Sequence, residues 1–223
     1  MNPTRFLALT LFLTLTHVRA DDRATGSEKW EPEIAAFEKA DREHPPEKGG
    51  IVFVGSSSIR LWKTLAQDFP EHRVLNRGFG GSQIVDSVQF AERIVIPSAP
   101  RQVVLYAGGN DLNAGKTPEQ VIADFKAFAG KIRAALPATH IAYISSAPSP
   151  SRWAQVEKVK AVNSAIEAWI KDQPRMVFIN LFPHLLGSDG LPKPEIYVED
   201  KLHFNAAGYA IWKEVVKPFL LNN

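Results

Sequence analysis

The chain has 223 residues, with 26 Lys or Arg, 24 Asp or Glu, and no cysteine. That length suffices for one domain around a single core. The lack of thiols excludes disulfides, thiolate catalysis, cysteine-based zinc sites and a lipid anchor on cysteine. The near-balanced charge, without a basic stripe, gives nucleic acid no footprint.

The first twenty residues read as a separate segment. Arg5 precedes the apolar stretch "FLALTLFLTLTHV", and "VRA" leads to Asp21. A positive start, a short apolar run and small residues before the break describe a secretory leader cut after Ala20. The run is too short for a comfortable membrane span. Its removal leaves 24 basic and 24 acidic residues. The expectation is an exported protein, periplasmic or extracellular, with no span after cleavage, and residues 21–223 as one domain.

Trp30, Ile34 and Phe37 share one helical face and predict a helix over 29–43, closed by "HPPEKGG". "IVFV" (51–54) reads as a buried strand, followed by a short helix over 59–67. "RVLNRG" (73–78) is a second strand and 83–95 a helix. "QVVLYAG" (102–108) is the third strand. "TPEQ" (117–120) is a helix start: Thr117 caps, Pro118 fits the first position and Gln120 completes a capping box. "HIAYISS" (140–146) is a fourth strand, 152–171 a helix and "MVFIN" (176–180) a fifth strand. An irregular segment (181–204) ends at Asn205, which caps the last helix. Apolar strands alternating with helices imply an α/β fold with a five-stranded parallel sheet covered on both faces.

In open α/β sheets ligands bind beyond the carboxyl ends of the strands. That rim would carry "GSSS" (55–58), "GFGGS" (78–82), "GGND" (108–111), "SSAPSP" (145–150) and, after a long loop, "DKLH" (200–203). Ester cleavage requires a nucleophilic oxygen, a base, a group that orients the base, and donors for the oxyanion. A serine at the turn after the first strand can supply the first. His203 can accept and return a proton near neutral pH. Asp200, three residues earlier, can turn back to its ring. Gly81 lets a bare N–H approach an oxyanion, and the Asn110 amide offers another donor.

This constellation resembles the SGNH hydrolases, the GDSL-type esterases and lipases. "FVGSSSI", "NRGFGGS", "GGND" and "DKLH" match that family's four blocks in order, across about Ile51 to Tyr209. The resemblance implies a flavodoxin-like α/β/α sandwich. It implies Ser57 as nucleophile and oxyanion donor, Gly81 and Asn110 as further donors, Asp200 and His203 as the other triad members, and no cofactor or metal. One residue departs from the pattern: Ser56 stands where the family's block has aspartate. As strand neighbours of Ser57, Ser56 and Ser58 are expected to face away from it and to hydrogen-bond the turn.

The expected activity is hydrolysis of short O-acyl esters, acetyl groups on carbohydrate first. Lysophospholipids or thioesters are an alternative, as is a non-catalytic binder of sugar or acyl ligands. A flavin or nucleotide binder would leave "GGND" and "DKLH" unexplained. Trp153 is the candidate substrate wall, whereas Trp169 reads as core. Asp111 reads as a brace for its loop. His184 with Asp189 is a conceivable rival pair. The oligomeric state is not readable from the chain.

Overall fold

The computed structural model describes residues 27–222, so the leader expected in residues 1–20 lies outside them. Among the described residues the sheet has five parallel strands: β1 (Ile51–Gly55), β2 (Val74–Gly78), β3 (Gln102–Tyr106), β4 (His140–Ile144) and β5 (Met176–Ile179). Their order is β2-β1-β3-β4-β5. The chain runs from β1 to one side, returns, and continues on the other side, which makes the β1/β3 gap a topological switch point. Ile51 of β1 stands opposite both Val74 and Gln102, so the three strands end level at that gap.

Strand side chains alternate faces, and here both faces are covered. Val52, Val54, Val103, Leu105, Ile141 and Tyr143 enter one core. That core is closed by α1 (Glu31–Glu43), α4 (Ile84–Ile94), α6 (Pro118–Ala135) and α7 (Val156–Lys171). Ile51, Phe53, Val104, Ala142, Ile144 and Ile179 enter the other. It is closed by α2 (Ser57–Leu61), α3 (Leu65–Asp68) and α8 (Ala206–Val216). A short α5 (Gly109–Asn113) follows β3. Burial on both faces explains why the strands read as unbroken apolar runs. The α/β three-layer expectation holds.

Several element boundaries differ from the sequence reading. The helix expected over 59–67 starts at Ser57 and splits after Leu61, because Trp62 leaves helical geometry. The Trp62 indole N–H and the Thr64 hydroxyl both donate to Asp68, which turns the chain into α3. The helix expected over 152–171 begins only at Val156; residues 150–155 form a tighter 3₁₀ turn broken at Arg152. Strand three ends at Tyr106 rather than at 108. The Thr117–Gln120 capping box is present.

The N-terminal helix is fastened to the domain. Ile34 is fully buried in the first core. Arg77, buried at the end of β2, pairs with Asp41 of α1 and donates to the Ile94 carbonyl, with the Phe37 ring against its guanidinium. Arg93 of α4 donates to both Glu31 and Glu38.

One residue governs how β1 delivers its following turn. Gly55 has φ 134°, and a Cβ there would lie 2.0 Å from the Tyr106 carbonyl oxygen. Only glycine lets the end of β1 close on β3, where the Ser56 N–H donates to that same oxygen at 3.0 Å. Gly55→Ala is therefore expected to lower the unfolding free energy by about 3 kcal/mol or more. Gly130→Ala, inside α6 with open space around the new carbon, is expected to raise it by about 0.5–1 kcal/mol. Denaturant titration of both variants measures the contrast.

Candidate active site

Ser57 is the first residue of α2, directly past the extended Ser56. The turn is held from below, where the Tyr209 hydroxyl of α8 donates to the Ser58 carbonyl at 2.9 Å. The segment bearing His203 is held as firmly. Tyr197 and Phe204 form an antiparallel bridge, and the Val198 N–H donates to the His203 carbonyl at 2.9 Å. Asn205 caps α8 through the Ala207 and Gly208 N–H groups, and its amide donates to the Glu195 and Tyr197 carbonyls. Tyr197, Phe204, Tyr209 and Trp212 belong to one buried aromatic cluster. Lys201 adopts a left-handed conformation, φ 56°, so that Asp200 folds back on His203.

The result is a continuous relay. Asp200 Oδ2 lies 2.6 Å from His203 Nδ1, and His203 Nε2 lies 2.8 Å from Ser57 Oγ. An ionised carboxylate only accepts, so Nδ1 carries the proton and bare Nε2 accepts from the Ser57 hydroxyl. Asp200 Oδ1 also accepts from the Leu202 and His203 N–H groups, both at 2.9 Å. Burial pushes the Asp200 carboxyl up, but these hydrogen bonds and the imidazole outweigh it and hold the pKa at about 2.

Asn110, in α5, joins the relay across a small cavity that Ser57 and His203 also line. Its Nδ2 donates to the Ser82 carbonyl at 3.0 Å, and its Oδ1 accepts from Arg152 Nη1 at 2.9 Å. Since Arg donates only, the amide orientation is fixed. One N–H of Nδ2 stays free for a ligand. Gly81 sits at φ 76° on the loop that presents Ser82, where an added Cβ would lie 3.3 Å from the Trp30 ring. The Ser57 and Gly81 N–H groups meet no acceptor among the described residues.

The flanking serines differ from expectation. Ser56, Ser57 and Ser58 all border the cavity, because the chain is helical from Ser57 on and strand alternation ends. The Ser56 hydroxyl makes no capping bond; its carbonyl instead receives the Ile59 and Arg60 N–H groups. Trp153 lines the cavity as expected, and Trp169 packs on Phe125. Asp111 is fully buried and accepts from the Ile84 N–H and from Lys116, bracing the loop after β3. Asp189 accepts from the Leu191 N–H and makes no hydrogen bond to His184. The cavity residues not singled out from the sequence include Tyr106, Arg152 and Phe204. Arg152 sits in "SPSRW" beside Trp153, and that adjacency was the one available signal. Among the described residues no three His, Asp or Glu side chains gather as a metal site.

Comparison with known proteins shows the family. The GDSL-like Lipase/Acylhydrolase family model matches residues 52–211. Platelet-activating factor acetylhydrolase IB subunit alpha1 of Pongo abelii is 28% identical over 198 residues, covering 83% of this chain and 80% of that protein. The Homo sapiens counterpart is 27% identical over 197 residues, covering 82% and 79%. A GDSL-like lipase of Bacteroides thetaiotaomicron superposes with TM-score 0.68 at 20% identity, covering 87% of this chain and 96% of that one. A carbohydrate esterase family 3 structure from Talaromyces cellulolyticus gives 0.62 at 17% identity, covering 77% and 95%.

The lowered Asp200 pKa has a consequence for acid stability. The ionised form contributes stability that is complete above the ordinary value of 3.8 and is lost as pH falls through about 2. In Asp200→Asn that contribution is absent. Its unfolding free energy, measured by denaturant titration from pH 5 to pH 2, is expected to fall less steeply with acid than that of the unaltered protein.

Proposed function

The chain belongs to the GDSL-like lipase/acylhydrolase family, and from that premise we propose that it is an exported serine esterase that removes short acyl groups, acetyl first. The observation that carries the reading is the relay Asp200–His203–Ser57 at the wall of one cavity. Ser57 Oγ attacks the acyl carbonyl while His203 Nε2 takes its proton, and Asp200 stabilises the imidazolium. The oxyanion receives the Ser57 N–H, the free Asn110 Nδ2 N–H and the Gly81 N–H, each such donor contributing about 3 kcal/mol. His203 then gives its proton to the leaving alkoxide as the ester C–O bond breaks. Water, deprotonated by His203, attacks the acyl-enzyme; the bond from Ser57 Oγ to the acyl carbon breaks, His203 returns the proton to Oγ, and the acid leaves.

Two observations support a short acyl group. The curated relatives are named acetylhydrolases, and Tyr106, Trp153 and Phe204 wall the cavity with large rings. Trp153, in the cavity wall, is the residue assigned to the alcohol part, for which a carbohydrate is the first candidate. A non-catalytic binder on this scaffold would lack one of the three relay residues, and all three are present.

Ser57→Ala is expected to abolish aryl acetate hydrolysis and organophosphonate labelling, whereas Ser56→Ala and Ser58→Ala keep activity within about tenfold. His203→Ala is expected to lower kcat by on the order of 10³–10⁶-fold. Equal losses at all three serines would overturn the assignment, and a preference for long acyl chains would overturn acetyl. Export predicts a mature N-terminus at Asp21, read by terminal sequencing of the processed protein.

A further inference from the structure

Arg152 is the cavity residue that hydrolysis itself leaves unexplained. It is half-buried, on the 3₁₀ turn after β4, and it lines the same cavity as Ser57 and His203. No Asp or Glu lines that cavity. Arg60, Arg73, Arg77 and Arg93 lie within ion-pair distance of a carboxylate; among the described residues Arg42, Arg101, Arg133, Arg152 and Arg175 do not, and of these five only Arg152 lines the cavity. Its one protein partner is the neutral Asn110 Oδ1, reached by Nη1. Nε and Nη2, the edge that grips a carboxylate or phosphate with two parallel N–H bonds, meet no acceptor among the described residues. A partly desolvated cation is costly without a counter-charge. Burial does push the guanidinium below its ordinary pKa, against the opposing influence of Tyr106, yet arginine stays charged.

We propose that Arg152 selects esters that carry an oxyanion group, a carboxylate or a phosphate, on the same small molecule as the scissile acyl group. This rests on the esterase reading and names its substrate class. The anion completes the ion pair that the protein leaves open. Because Asn110 lies between Arg152 and the oxyanion position, the bound anion also orients the ester against the Asn110 amide. Arg152 is thus a specificity-determining residue, and it breaks no bond.

The test compares 3- and 4-acetoxybenzoate with the matching acetoxybenzamides, which are neutral isosteres, and with 4-acetoxyphenyl phosphate. The unaltered protein, Arg152→Gln and Arg152→Lys are assayed together. An Arg pair with an oxyanion predicts about tenfold or more higher kcat/KM for at least one anionic ester over its neutral counterpart. The preference is expected chiefly in KM and to weaken with added salt. It disappears in Arg152→Gln and persists in part in Arg152→Lys. Binding of the same esters to Ser57→Ala, by calorimetry, gives the same ranking without turnover. Hydrolysis of the amides and the anionic esters at equal rates would overturn the proposal while leaving the esterase reading intact. Equal losses on both in Arg152→Gln, with the preference unchanged, would reduce Arg152 to a positioning residue for Asn110. A preference for carboxylate alone or phosphate alone identifies which oxyanion the site takes. Failure to hydrolyse any ester, with no anion binding to Ser57→Ala, would sink both.

Discussion

The hydrogen bond between His203 Nε2 and Ser57 Oγ joins groups 146 residues apart in the chain, and the rest of the site is arranged around it. A 2.8 Å contact survives only if both backbones are fixed to a fraction of that distance. On the serine side, the missing Cβ of Gly55 lets β1 close against β3, and the Tyr209 hydroxyl pins the Ser58 carbonyl. On the histidine side, Phe204 is buried and Asn205 caps α8, so the residue next to His203 is both packed and hydrogen-bonded. α8 serves both: it supplies Tyr209 to one partner and begins at the other. The aromatic cluster of Trp62, Tyr209, Trp212 and Phe204 is therefore the mechanical link between nucleophile and base.

Electrostatics divide the site into two charged ends with a neutral middle. Asp200 faces the imidazole from one end, half in solvent, and its two backbone donors keep it ionised. Arg152 lines the cavity beyond Asn110, with no carboxylate beside it among the described residues. Between them Asn110 is held by an obligate donor on its oxygen and an obligate acceptor on its nitrogen, so no rotation of the amide satisfies both partners any other way. Rigid polarity of this kind stabilises a developing negative charge without reorganisation at the moment of reaction. The switch point between β1 and β3 gives this arrangement its place, since Ser57 follows one strand and Asn110 the other.

Much of this was legible in the chain because it is local. The strands declared themselves as apolar runs, since each is buried on both faces. Thr117 and Gln120 declared a helix start because a cap is made within four residues. "DKLH" disclosed the Asp200–His203 pair because their spacing of three suits a single tight turn. The splitting of 59–67 was less visible. It depends on Trp62 and Thr64 converging on Asp68, an interaction that competes with helix propensity and leaves no periodic trace. The facing of Ser56 and Ser58 was not legible, because strand alternation ends where α2 begins at Ser57.

The sequence alone determined the fold class, the order of the rim segments and the identity of the residues able to perform ester chemistry, because these follow from burial patterns and short spacings. Only the tertiary structure decided that Ser57 rather than its neighbours meets His203, that the loop after β2 meets Asn110 through the Ser82 carbonyl, and that Arg152 enters the cavity without a counter-charge. Each of those outcomes depends on contacts between distant segments, set by how α8, the 3₁₀ turn after β4 and the loop after β2 come to rest against the sheet. No local rule encodes such distances.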